Sequence, residues 1–216
     1  MKNLILILLL TSFGAPQGEL AKSRNLIRYS HTPLSGRNIK NPPDEGADLL
    51  FKGVRTKLTA NDKIDIYSKL NFKVSADKKG FIQFIPVLNT ITKETFTATV
   101  LPTDLNHDGV EEIFISYGNC ETSGNTCNEI ALYIKNIKGH YAEDFDMAGL
   151  IPDVIISTKK FPDLIIGGPG MYRPLMRWNG SKYINNATID FSGKKQPRTI
   201  DIEKISKAYQ ASLKAK

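Results

Sequence analysis

The sequence is poor in the residues that announce chemistry. It holds 2 cysteines, 1 tryptophan and 3 histidines among 216 residues. Two cysteines cannot supply a zinc site without further soft ligands nearby. His31, His107 and His140 never fall at the close helical spacing of a zinc-binding pair. No G-x-S-x-G stretch occurs to set a serine on a nucleophile elbow, and no G-x-x-x-x-G-K to cradle phosphates. Long apolar runs are missing as well. The longest, Leu4 to Leu10, is far short of the roughly 20 residues of a membrane-spanning helix, so no transmembrane helix is expected. Basic residues outnumber acidic ones, 29 to 22, for a formal charge of +7, but they are scattered. Without a basic run interleaved with aromatics, nucleic acid is not an expected partner.

What is present begins with "MKNLILILLLTSFGAPQ". One lysine, a short apolar run and the small residues Ser12, Gly14 and Ala15 read as a secretory signal peptide over residues 1–15. Residues 16–46, rich in proline and glycine, read as an extended leader. Residues 47–216 are enough for one domain with a core and too few for two of ordinary size. Export to the periplasm or the medium makes a Cys120–Cys127 disulfide the expectation over free thiols.

Along the domain, "LTANDKIDIYSKL" carries a Thr59/Asp62 capping pair and an apolar stripe, which predict a helix over about 60–70. "FKVS", "FIQFIPVL", "TFTATVLP", "EEIFISYG", "EIALYIKN", "DVIIST", "DLIIGG" and "PLMRWNG" read as closely spaced antiparallel strands. Near the end, Ile202, Ile205, Tyr209 and Leu213 recur at helical intervals and predict a helix docked on the sheet.

The most informative stretch is "TDLNHDGVEEIFISYGN", Thr103 to Asn119. Calcium takes six to eight oxygen ligands. A loop meets that need with side-chain oxygens at positions one, three and five, a backbone carbonyl at seven and a carboxylate at nine. Here those are Asp104, Asn106, Asp108, the Val110 carbonyl and Glu112, with Gly109 for the sharp turn. Glu111 falls between ligand positions and is expected to point away. Position twelve is Ile115, inside a strand, so an EF-hand is excluded. The plain alternative is a metal-free Asx-rich turn.

A loop of this kind running straight into a strand resembles the calcium loop of FG-GAP and VCBS repeats, the blades of integrin-type β-propellers. "FPDLIIGGPG", Phe161 to Gly170, resembles the strand and Gly-Pro turn of the same repeat. Aligning Asp163 with Glu112 sets Ser157 opposite Asn106 and Lys159 opposite Asp108, so only the first unit keeps its acidic ligands. The resemblance implies two propeller-blade-like antiparallel units, about 103–141 and 155–183. Propellers have about four to eight blades. The expected fold is therefore α+β, mainly β, with a helix on the N-terminal side and one at the C-terminus, and not a complete propeller.

Such repeats display loops for protein recognition and hold them rigid with Ca2+. In "GGPGMYRPLMRWNGSKY", Tyr172, Arg173 and Arg177 are the candidate contact residues, while Met176 and Trp178 fit the core equally well. The expectation is a non-catalytic, calcium-stabilised binding module whose partner is a protein of the cell envelope, with inhibition of a toxin or hydrolase as one concrete form. The alternative is a secreted polysaccharide hydrolase built on paired carboxylates drawn from Glu129, Glu143, Asp144, Asp146 and Asp163.

Overall fold

The computed structural model describes residues 43–85, 89–193 and 196–213, and helix α1, Pro43–Leu50, is the first element among them. The signal-peptide segment and most of the leader lie outside these residues. The leader's last residues do not stay extended, because α1 starts at Pro43. A proline is well placed at a first helical position, where its missing N–H has no partner to lose. Helix α2, Ala60–Lys69, ends one residue short of the sequence reading. Its capping box is formed: Asp62 N–H donates to Thr59 Oγ1 and Thr59 N–H to Asp62 Oδ2, both at 3.1 Å.

Three short strands follow, β1 (Phe72–Val74), β2 (Phe81–Ile85) and β3 (Thr90–Ile91), forming a small antiparallel sheet in that order. Next comes a four-stranded meander of β4 (Thr99–Thr103), β5 (Glu112–Tyr117), β6 (Glu129–Lys135) and β7 (Tyr141–Ala148). The short helix α3, Cys120–Ser123, lies between β5 and β6. A second meander has β8 (Leu150–Ile155), β9 (Leu164–Gly167), β10 (Tyr172–Trp178) and β11 (Tyr183–Asp190). A last strand, β12 (Thr199–Asp201), joins its β8 edge, and helix α4, Ile202–Ser212, follows. The fold is α+β and mainly β, with helices toward both ends. None of the three sheets closes on itself.

Alternation of side chains splits the interior into two apolar clusters. One face of the first meander (Ile113, Ile115, Tyr117, Ala131, Tyr133) packs against α1, α2 and the small sheet through Leu50, Ile66, Phe72, Phe81 and Phe96. The opposite face (Leu101, Phe114, Ile130, Leu132, Phe145) packs against Val154, Leu164, Ile166, Met176 and Tyr183 of the second meander, with Ile202 from α4. Strand β5 is thus buried along its whole length, which explains its nearly continuous apolar sequence. Where the chain passes between meanders, a Cβ on Gly149 would stand 2.4 Å from Ile166 Cγ2, so only glycine lets the sheets approach this closely.

The two meanders repeat each other in detail. Tyr141 opens β7 and donates its hydroxyl to the carbonyl of Glu111 at 3.1 Å; Tyr183 opens β11 and donates to the carbonyl of Pro162 at 2.9 Å. Each outer strand bulges at its fourth residue, Asp144 in β7 and Asn186 in β11. The Tyr141 N–H donates to Asp65 of α2 at 3.0 Å, and the Tyr183 N–H to the bulged Asp144 at 2.9 Å. Each unit is therefore latched by a carboxylate from the element before it.

Candidate functional site: the 104–112 loop

The loop between β4 and β5 is shaped by its own side chains. Gly109 N–H donates to both carboxylate oxygens of Asp104, at 3.3 and 3.1 Å. Asp108 N–H donates to Asn106 Oδ1 at 2.8 Å, and Val110 N–H to Asp108 Oδ1 at 2.9 Å. These Asx turns compete for the backbone donors of a segment with no ladder partner. Gly109 has φ 83°, a left-handed conformation in which a side chain is strained. His107 also sits at positive φ, 58°, and is exposed.

Glu112 stands at the base of the loop and is only 2 % exposed. Its Oε2 accepts the Leu105 N–H at 2.7 Å. Burial pushes its carboxyl up to about 8; the Leu105 N–H opposes that, while Asp104 and Asp108 add to it. A buried acid facing two further carboxylates is an environment that a cation relieves. The donors are hard oxygens, which suits Ca2+. No group of three or more His, Cys, Asp or Glu side chains placed to hold a metal occurs among the described residues. Asp104 and Asp108 are turned instead to loop N–H groups.

Glu111 points to a different task. Its carboxylate accepts the Thr56 hydroxyl, the Lys57 N–H at 2.8 Å and the Tyr209 hydroxyl of α4 at 2.9 Å. Lys57 Nζ also reaches the Gly109 carbonyl at 3.3 Å, and Arg55 N–H bonds Gln210 of α4 at 3.0 Å. One buried carboxylate therefore ties the segment after α1, the loop and the C-terminal helix together. Sequence reasoning set Glu111 aside as a spacer and missed this role, since all its partners are distant in the chain.

In the second meander the residue matching Glu112 is Asp163, 6 % exposed. Both its oxygens accept Lys159 Nζ, at 2.9 and 3.0 Å, and Oδ2 accepts Arg177 Nε and Nη2 at 3.1 and 2.9 Å. Burial works against ionisation of Asp163, but Arg177 and Lys159 outweigh it and hold the carboxyl below its usual range. An ammonium and a guanidinium thus occupy the surroundings of Asp163, whereas its counterpart Glu112 has one backbone N–H, from Leu105, and the carboxylates of Asp104 and Asp108 nearby.

The expected contact residues separate. Tyr172 is 66 % exposed beside exposed Met171. Arg177 is committed to Asp163, and Arg173 lies over the Phe191 ring at 4.4 Å. Trp178 stacks on Phe161 at 4.1 Å and Met176 is buried, so both serve the core. Cys120 and Cys127 form the disulfide, which closes the loop containing α3. No helix among the described residues is long and apolar enough to cross a membrane.

Of the carboxylates weighed for hydrolysis, Asp163 belongs to the second meander, and the other four divide between the faces of the first. Asp144 turns to Tyr183, whereas register sets Glu129 across from Tyr117, Glu143 across from Tyr133 and Asp146 across from Ala131, all on the other face. The Tyr117 hydroxyl donates to Asp146 Oδ2 at 2.5 Å, and Asp146 Oδ1 is buried. Burial raises Asp146 to about 7; the Tyr117 bond opposes this, and Glu129 and Glu143 reinforce it.

No family model matches the chain, and neither a curated protein nor a solved structure matches it.

Proposed function

We propose that this chain is an exported, calcium-stabilised, non-catalytic protein-binding module of the FG-GAP/VCBS kind, and that it restrains a toxin or hydrolase directed at the cell envelope. The observation that carries the reading is the contrast between Glu112 and Asp163. Both are buried acids at the mouth of an apolar strand. Asp163 has Lys159 and Arg177 against it, while Glu112 has Asp104 and Asp108 for company.

Asp104, Asn106, Asp108, the Val110 carbonyl and Glu112 are the residues that would hold the ion. Bound there, Ca2+ supplies positive charge and cross-links oxygens, with no reaction step assigned to it. Binding requires Asp104 and Asp108 to turn from loop N–H groups toward Glu112. Glu111 and Lys57 hold the flanking backbone while they do so. The firmed loop steadies β5, the strand shared by both apolar clusters. Tyr172 and Met171, exposed at the start of β10, offer the aromatic and apolar contact that protein interfaces favour.

Affinity capture from bacterial envelope extracts, with and without a calcium chelator, tests this reading. The expected result is a protein retained only with calcium and lost from both Glu112→Gln and Tyr172→Ala. Capture indifferent to the chelator, or turnover of peptidoglycan by the isolated chain, overturns it.

The Glu129, Glu143 and Asp146 group favours a second reading, a carboxylate-dependent polysaccharide hydrolase. Enclosure of Asp146 under the Tyr117 hydroxyl speaks against it, because a general acid must reach its substrate.

A further inference from the structure

Strand β11 is the long edge of the second sheet, and among the described residues no element pairs with its outer side. The other long edges are attended to. Helix α4 packs along β4, and α2 lies against β7, where Asp65 takes the Tyr141 N–H. A bare edge is a template for another strand. This one reads "YINNATID", and from Tyr183 to Ile189 it carries no charge. A strip without charge sets no like charges against each other when a second copy approaches it.

The repeat gives the bulged residue of an outer strand a partner outside its own sheet. In the first meander the bulged residue of the outer strand is Asp144, and its carboxylate latches the Tyr183 N–H of the unit beyond. The bulged residue of β11 is Asn186, exposed, whose side chain makes no hydrogen bond among the described residues. The position of the latch is thus repeated in β11, with a carboxamide in place of the carboxylate. That exchange matters at a two-fold axis, where a residue meets its own copy. Two carboxylates repel, whereas a carboxamide carries both donor and acceptor and complements itself.

We propose that β11 is a self-association edge, on which a second copy of this chain pairs antiparallel about a two-fold axis passing between Asn186 and Ala187. Ile184 then lies opposite Ile189 of the second copy, Asn185 opposite Thr188, and Asn186 opposite Ala187 and near its own counterpart. The two five-stranded sheets become one continuous sheet. The half-exposed Ile184 and Ile189 supply cross-strand apolar pairs, and backbone hydrogen bonds supply the rest. The pairing is independent of the calcium reading, because β11 contributes no residue to the 104–112 loop.

Sedimentation velocity on the full chain over a hundredfold concentration range tests the proposal, run with and without calcium. The expected result is a reversible monomer–dimer equilibrium under both conditions. Asn186→Asp differs by one atom at an exposed site and should shift the midpoint at pH 7.5 by tenfold or more toward monomer. Thr188→Lys, a charge on the same edge, should do likewise. Thermal melts of both variants should match the parent and so exclude misfolding. A chain that stays monomeric throughout, or a dimer that both variants leave intact, overturns the proposal.

Discussion

Asp146 shows how a single buried group couples this fold to pH. Its folded-state pKa, about 7, lies above the ordinary value of 3.8, so the native chain keeps a proton that the unfolded chain has lost. The contribution is fully present below about pH 4 and fades as pH rises through about 7. Asp144, raised to about 6 by burial, acts in the same direction. Urea melts of the parent between pH 4 and 8 should show stability falling across that window. Asp146→Asn should flatten the fall and be the more stable chain at pH 8, on the order of 1–3 kcal/mol. Equal pH slopes for the two would remove Asp146 from the explanation. Lys159 offers a second test. Replacing it with Met leaves Asp163 to Arg177 alone, and the loss of two charge-assisted bonds should cost about 1–2 kcal/mol. In an Asp163→Asn background the same change should cost little, because the buried charge has gone. A cost unchanged by Asp163→Asn would show that Lys159 acts through something other than that acid.

At the scale of elements, legibility followed the strength of local signals. Helix α2 was plain because its capping pair and its apolar stripe agree. β5, β6 and β9 were plain because both faces of their middles are buried and carry the apolar runs Ile113–Ile115, Ile130–Ile134 and Leu164–Ile166. β7 and β11 were not, since Glu143, Asp144 and Asp146, or Asn185 and Asn186, occupy an edge strand where pairing alone sets the conformation. The meanders consequently run from Thr99 to Ala148 and from Leu150 to Asp190, further than the repeat motif indicated. The turn-forming side chains of the loop, Asn106 and Asp108, were legible, because Asx turns are local. The roles of Glu111, Lys159 and Arg177 were not, because their partners are brought in by sheet register or from distant segments. Glu111 is the element-scale test. Glu111→Ala removes the acceptor for Lys57 N–H, the Thr56 hydroxyl and the Tyr209 hydroxyl, and should cost about 2–4 kcal/mol. Hydrogen exchange should then rise in α4 first. Unchanged protection of α4 would show that its apolar stripe, and not this carboxylate, holds it in place.

At the scale of the whole molecule, layers succeed one another in chain order: the helical pair and small sheet, the first meander, the second meander. Each successive joint has an apolar cluster and a carboxylate latch. Strand β5 belongs to both clusters, with Ile113 and Ile115 in one and Phe114 in the other. Tightening the 104–112 loop at the foot of β5 should therefore stabilise the whole stack. At a free calcium concentration a hundred times the dissociation constant, linkage gives about 2.7 kcal/mol. For a chain of this size that is a rise in Tm of about 5–10 °C.

Calorimetric titration of the chelator-stripped chain with calcium tests the central claim most directly. One equivalent should bind, and Asp108→Ala and Glu112→Gln should each abolish the heat and the accompanying rise in Tm. A flat titration of the parent chain, with melting indifferent to the ion, would contradict the account.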